Sequence, residues 1–409
     1  MSHAHSPPGV RASERPPLEV ADIVRAYGET FASAHALTPD QHEVLRDIAR
    51  CRTAVLGGHV DVCNACGYSK NSYNSCRNRH CPKCQSLAQA RWLDQRMKHV
   101  LPAHYFHVVF TLPSELHGLA MYNRETVFNL LLACSAEALL ELGRDPKRLG
   151  AELGITSVLH TWTRELLFHP HAHCIVTGGG LSLDEERWIH TRPDFLFHVR
   201  VLGALFRGKF LARLVQAYDK GELRLEGRVA HLADPRHFAR LRDKLYRKRW
   251  VVYSKPPFGG PEQVFRYLGR YTHRVGLSNR RLVSLDDRGV TFRTRGDSTI
   301  TVLPHEFLRR FVLHVLPKGF VKIRHYGLMA ASNLATKLAT ARRLLGVSNP
   351  AEPSPTQPPH DFCEALLALT GTDLRRCPRC GGPMIRLPLP RPDAGKTASP
   401  SSTEPPDTS

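Results

Sequence analysis

The segment HTWTRELLFHPHAHCIV, residues 160–176, places four histidines within fourteen residues. His169, His171 and His173 stand at alternate positions, and alternate positions of a strand share one face. Imidazoles in register do one of two things: they satisfy a polar core, or they hold a divalent metal. If SVLHTW and HAHCIV pair antiparallel about a loop near residues 166–167, His160 falls opposite His173, and directly opposed residues share a face. A lone His-x-His is more often structural. The third histidine on the preceding strand brings the metal reading level with that one. The candidate ligands are His171, His173 and His160, with Glu165 and Gln263 as rivals for the third place.

A second constellation, PEQVFRYLGRYTHRVGLSNRR, sets Tyr267 and Tyr271 four residues apart. On a helix that spacing puts both phenols on one face, about 6 Å apart along the axis. Paired aromatics of this kind usually pack in a core or an interface. Here Arg266, Arg270, His273 and Arg274 surround them with cations, and Arg270 and Arg274 are candidate DNA contacts. A tyrosine that faces a metal and a phosphate is a nucleophile for transesterification.

Six of the eleven cysteines lie between Cys51 and Cys84. Without a secretion signal, that density points to metal and not to disulfides. Cys63-x2-Cys66 and Cys81-x2-Cys84 are separated by fourteen residues, a spacing that delivers four thiolates to one structural Zn²⁺. Cys76 and His80, inside the loop, and Cys51 and His59, upstream, are possible ligands of a further ion. Arg77 and Arg79 stand beside this module as candidate phosphate contacts. Near the C-terminus, CPRCGG offers Cys377 and Cys380 as half a site, with His360 and Cys363 as its nearest partners in sequence.

The net charge of +20 attracts polyanions, and nucleic acid is the commonest of these inside a cell. Arginine outnumbers lysine 44 to 13. The guanidinium fork suits phosphate oxygens, although a GC-rich coding bias gives the same ratio. No apolar run approaches the roughly 20 residues of a membrane span. The N-terminus lacks the apolar stretch of a signal peptide. A cytoplasmic location without membrane contact follows from these two readings.

The positioning elements read as follows. Residues 19–33 and 40–50 have helical spacing, the second with Thr38 as its cap. HYFHVVFTLP (104–113) is a strand, 123–142 a helix, and the histidine segment two strands joined by a short loop. Helices follow at 196–218 and 235–249, a strand at 250–257, a helix from Pro261 and a hairpin over 280–295. A helix, the strand FVKIRHYG and another helix run on to about 345. Mixed strands and helices with hairpins indicate an α+β fold. The domains expected are a disordered tail at 1–16, a helical and zinc-binding domain at 17–100, and a catalytic domain at 101–345. Residues 346–409 hold a linker, the second knuckle and a tail disordered from about 385.

In order along residues 45–345, SCRNRHCPKC, FHVVFTLP, LHTW…HPHAHCIVTGGG, YLGRYTHRVGLSNRRL and IRHYGL resemble the two-tyrosine HUH rolling-circle transposases of insertion sequences. The resemblance implies an HUH-type nuclease domain, an antiparallel sheet with helices, behind a small zinc-binding domain. The family's His-hydrophobe-His pair carries over to His171 and His173, with Ala172 as a small hydrophobe, and its paired tyrosines to Tyr267 and Tyr271. His160 is a geometric inference and not a carry-over. The implied activity is metal-dependent cleavage and rejoining of single-stranded DNA at element ends and target through a 5′-phosphotyrosine. Imidazole and oxygen ligation beside a phosphate suits Mg²⁺ or Mn²⁺. In a bacterium such a protein is nucleoid-associated.

Other classes account for less. A non-catalytic zinc-containing DNA-binding regulator explains the charge and the cysteines but not the histidines and tyrosines. A zinc hydrolase built on His-x-His lacks the customary Asp-His extension, because HAHCIV continues apolar. GALFRGKF matches a phosphate-binding loop except at Phe210, where Mg²⁺ requires a hydroxyl, and its pattern is helical.

Overall fold

A computed structural model describes residues 17–84, 86–255, 276–347, 363–364, 367, 371 and 373–392. The tyrosine segment, with Tyr267, Tyr271, Arg270, Arg274 and Gln263, lies outside the described residues, as do His360 and the tail at 1–16. Along the chain come α1 (Val20–Ala34), α2 (Pro39–Arg50), β1 (Gly58–Cys63), β2 (Ser69–Tyr73), α3 (Ser86–Met97) and β3 (Tyr105–Thr111). Next are α4 (His117–Tyr122), α5 (Arg124–Arg144), β4 (Ala151–Trp162), β5 (Phe168–Ser182), β6 (Trp188–His190), α6 (Val199–Asp219), α7 (Pro235–Arg247) and β7 (Val252–Lys255). Then follow β8 (Leu282–Asp286), β9 (Gly289–Arg293), β10 (Thr299–Val302), α8 (Pro304–Val312), β11 (Ile323–Gly327), α9 (Lys337–Leu344) and β12 (Met384–Leu389). The fold is α+β with antiparallel sheets.

The chain divides into two compact units, Met1–Ala49 with Arg77–Pro358, and Arg50–Cys76 with Pro359–Ser409. The expected boundaries at 17–100, 101–345 and 346–409 do not follow this division. The middle of the cysteine-rich stretch leaves its sequence neighbours and joins the C-terminal end of the chain.

In the larger unit, one sheet runs β11-β4-β5-β3-β7, with β6 added on β5. Side-chain alternation divides it into two different faces. Phe106, Val108, Phe110, Leu159, Ala172 and Cys174 face the main core, where α5 and α6 supply Phe128, Leu131, Phe206 and Phe210. Truncating one such residue, Leu131→Ala for example, should cost about 2–5 kcal/mol. Helix α5 is long and apolar enough to cross a membrane by length and composition, contrary to the sequence expectation, but most of that stretch is buried in this core. Its last turn is fastened to β4 by Arg144, whose Nε and Nη2 donate to the Glu152 carboxylate at 2.6 and 2.9 Å. Thr38 caps α2 as expected: Thr38 Oγ1 accepts from Gln41 N–H while Gln41 Oε1 accepts from Thr38 N–H. Glycines in the second half of β5 permit close approach. A Cβ on Gly178 would stand 2.2 Å from His104, and one on Gly180 would stand 2.4 Å from the Glu152 carbonyl.

The GALFRGKF segment lies inside α6. Strand β10 was not expected from sequence. Neither was β12, which occupies residues assigned to a disordered tail.

The smaller unit is a three-stranded antiparallel sheet, β12-β1-β2. Asp61 and Arg386 are directly opposed on β1 and β12, and Arg386 Nε donates to Asp61 at 2.7 Å.

Candidate active site

The face of the large sheet turned away from the α5–α6 core carries the histidines. β4 pairs with β5 so that His160 stands opposite His171 and Val158 opposite His173. The register is therefore two residues off the expected pairing of His160 with His173. The loop that joins the strands spans 163–167, earlier than expected, and the pairing also shifts between His160 and Trp162. A shift of two preserves the face, so His160, His171 and His173 still converge. Each offers a ring nitrogen, and these nitrogens all lie within 4.8 Å of one another. Ala172, between the two histidines on β5, is buried in the opposite core.

Burial lowers the affinity of these rings for protons. It pushes His171 down to about 4 and holds His160 and His173 well below the ordinary histidine range, with their neighbouring histidines adding to the effect. The rings are thus neutral near pH 7, the form in which imidazole ligates a metal. His171 Nδ1 lies 2.6 Å from the His169 carbonyl. A carbonyl only accepts, so Nδ1 carries the hydrogen and Nε2 keeps its lone pair. Trp162 stacks on His160 with ring centroids 4.7 Å apart. His160 is buried, while His171 and His173 keep a partial opening to solvent.

His107 on β3 is a member of this group that sequence reasoning missed. Its Nε2 lies 2.7 Å from His173 Nδ1, and burial beside Lys255 pushes it down to about 4. Its alternation with Tyr105 and Val109 in HYFHVVFTLP was the available signal. Glu165 lies in the loop and is not one of the close group among the described residues.

Leu166 takes a φ of 61° in that loop, a conformation unfavourable for a branched side chain. Its side chain is fully buried. His314 Nε2–H donates to its carbonyl at 3.1 Å while Nδ1 accepts from Thr161. These contacts fix the chain on either side of Trp162.

The cysteines are paired differently from the expected set of Cys63, Cys66, Cys81 and Cys84. Cys63 and Cys66 meet Cys377 and Cys380 in the smaller unit, with sulfurs 3.5 Å (Cys63–Cys380) and 3.7 Å (Cys66–Cys377) apart. Cys81 and Cys84 belong to the larger unit. Cys363, one expected partner of the C-terminal knuckle, is not among the grouped sulfurs. His80 does not serve as a zinc ligand. Its Nε2 accepts from Leu316 N–H at 3.1 Å, and Nδ1 lies 3.2 Å from Asn78 Oδ1, so both nitrogens are engaged. Arg79 donates to the carbonyls of Phe320 and Pro317 at 2.6 and 2.7 Å. Its guanidinium is an internal tie and not an open phosphate contact. Arg77 is exposed.

Two families of known proteins match the chain. A family described as "Putative transposase" matches residues 154–336, and one described as "Transposase zinc-binding domain" matches 23–112. The chain is 48% identical over 379 residues to "Putative transposase y4qJ" of Sinorhizobium fredii, covering 91% of this chain and 95% of that protein. It is 28% identical over 353 residues to "Transposase for insertion sequence element IS801" of Pseudomonas savastanoi pv. phaseolicola, covering 84% and 82%. No solved structure matches. The zinc-binding match spans six cysteines, a donor set that suits structural Zn²⁺. With a zinc-binding domain followed by the histidine-bearing transposase domain, the chain belongs to the IS91-type insertion-sequence transposases.

Proposed function

We propose that this DNA transposase cuts and rejoins single-stranded DNA at the ends of its element through a 5′-phosphotyrosine, with His160, His171 and His173 as the cation site. The observation that carries the reading is the convergence of three histidines, their ring nitrogens within 4.8 Å of one another, on one face of the sheet, with His171 and His173 partly open to solvent. Mg²⁺ or Mn²⁺ bound there would polarise the scissile phosphate.

Tyr267 and Tyr271 are the proposed nucleophiles. In sequence they fall between two described anchors. Lys255, the last described residue before them, stands opposite His107 on β3. Gly276, five residues after Tyr271, is the first described residue beyond. A Cβ there would stand 2.6 Å from Leu166 and 3.5 Å from Trp162. Both anchors flank the histidine face. A phenol oxygen attacks phosphorus, the P–O3′ bond breaks, and the 3′-oxygen leaves as a hydroxyl with the proton given up by the phenol. The new phosphodiester on tyrosine retains the bond energy, so a 3′-hydroxyl can reverse the step and join a new end without ATP. A second tyrosine lets one site handle two ends. Arg270 and Arg274, beside the tyrosines in sequence, are the proposed phosphate contacts.

The test is incubation with labelled single-stranded DNA from the element's own ends, with and without Mn²⁺. A cation-dependent covalent protein–DNA adduct supports the proposal. Binding without cleavage, whatever the cation, returns the chain to the role of a DNA-binding regulator.

A further inference from the structure

We infer that the zinc of the N-terminal zinc-binding domain is held jointly by the two ends of the chain, through Cys63, Cys66, Cys377 and Cys380. This rests on the reading that the domain binds zinc, and it extends that domain to a segment far outside the matched residues 23–112.

The four sulfurs lie within 4.8 Å of one another, and all are free thiols. Four thiolates around zinc at 2.3 Å stand about 3.8 Å apart along each tetrahedral edge. The observed separations of 3.5 and 3.7 Å fall just below that edge length.

The turns that carry the cysteines are built to the same plan. In the first, Gly67 N–H donates to the Cys63 carbonyl at 3.1 Å, and Cys63 N–H donates to the Tyr68 carbonyl at 2.8 Å. In the second, Gly381 N–H donates to the Cys377 carbonyl at 2.9 Å, and Cys377 N–H donates to the Gly382 carbonyl at 2.8 Å. Gly67 and Gly381 take φ of 69° and 73°, the left-handed conformation in which glycine avoids a side-chain clash. Arg379 N–H also points to the Cys377 sulfur at 3.4 Å. Gly382 admits the opposite knuckle, since a Cβ there would stand 2.9 Å from Ala65 and 3.5 Å from the Cys63 sulfur.

The sheet supplies the second reason. β12 pairs with β1 from Gly58↔Leu389 to Cys63↔Met384, so the C-terminal strand delivers its knuckle in register. Much of the sheet is exposed: β2 buries no residue fully, and neither does β12. A sheet with so little apolar interior needs a metal to hold it. The C-terminal segment is therefore a structural half of the zinc-binding unit.

The experiment is metal analysis of the full-length protein, its Cys377→Ser/Cys380→Ser variant and a Cys363→Ser control. The double variant should lose one zinc equivalent per chain, and the control none. Because loss of a ligand can unfold the unit, Cys380→His is examined as well, after exchange of zinc for Co²⁺. It should keep the metal and weaken the sulfur-to-cobalt absorption by about one ligand's share. Zinc retained in full by the double variant, or an unchanged cobalt spectrum in Cys380→His, overturns the inference while leaving the zinc-binding reading in place. Wild-type protein without zinc would remove both.

Discussion

His107 Nε2 and His173 Nδ1 lie 2.7 Å apart, with their rings stacked at a centroid separation of 4.9 Å. Two neutral rings share one hydrogen across such a contact. If His173 Nδ1–H donates, its Nε2 lone pair is turned to the cation site, the same tautomer that the His169 carbonyl imposes on His171. His107 then acts as a positioning residue one step behind the proposed ligand. His107→Phe should weaken the apparent Mn²⁺ affinity of cleavage roughly 10- to 100-fold, with saturating Mn²⁺ recovering most of the rate. His107→Gln, which can still accept, should lie between. Equal Mn²⁺ titration curves for wild type and His107→Phe would remove this role.

The proposed ligands separate binding from chemistry. His171→Ala and His173→Ala should abolish cleavage and retain most DNA affinity, because dispersed phosphate contacts supply the affinity. Gel-shift and cleavage assays on the same preparations make the comparison. Full cleavage by either variant in Mg²⁺ or Mn²⁺ would return these residues to a structural role.

His314 makes the fold around the loop sensitive to acid. Burial pushes it down to about 3, while the unfolded chain takes up that proton near pH 6.5. Between these values the unfolded state binds more protons, so the contribution is complete above about pH 6.5 and is lost as pH falls towards 3. The loss approaches about 1.4 kcal/mol per pH unit, or roughly 2 kcal/mol by pH 5. Urea midpoints for wild type and His314→Asn, measured from pH 7.5 to 5, should converge as pH falls. Parallel curves would show that His314 is not the titrating group.

Zinc stoichiometry extends the account to the rest of the cysteine-rich stretch. With Cys63 and Cys66 assigned to the C-terminal knuckle, Cys51, Cys76, Cys81 and Cys84 remain within the zinc-binding match. Cys81→Ser, in the larger unit, should therefore leave the zinc of the smaller unit in place. A single zinc that disappears with both Cys81→Ser and Cys63→Ser would restore the linear pairing of the N-terminal knuckles.

The histidine face was legible because strand alternation is local. Residues 171 and 173 share a face whatever their partners. The register was not legible from the ends of the strands, since a loop of 163–167 and a local irregularity at His160 shift the pairing by two. The knuckles were legible as metal-binding turns, but their pairing was not. Cys63 and Cys380 are 317 residues apart in sequence, and only the β1–β12 register brings them together. The strand β12 was hidden because MIRLPLPRP reads as proline-rich tail, although an edge position tolerates its proline. His80 and Arg79 read as ligand and phosphate contact from their neighbours, and only their partners on Leu316, Phe320 and Pro317 show that they are internal ties.

The central claim is that tyrosine does the chemistry beside these histidines, and peptide mapping of the covalent adduct tests it most directly. The protein is reacted with element-end single-stranded DNA in Mn²⁺, digested, and the phosphotyrosyl peptide sequenced by mass spectrometry. The account predicts adducts on Tyr267 or Tyr271, residual adduct in each single Phe variant with poor transposition, and none in Tyr267→Phe/Tyr271→Phe. Phe fills nearly the same volume, so a packing role alone would leave the double variant active. An adduct on any other residue, or normal transposition by the double variant, would contradict the account.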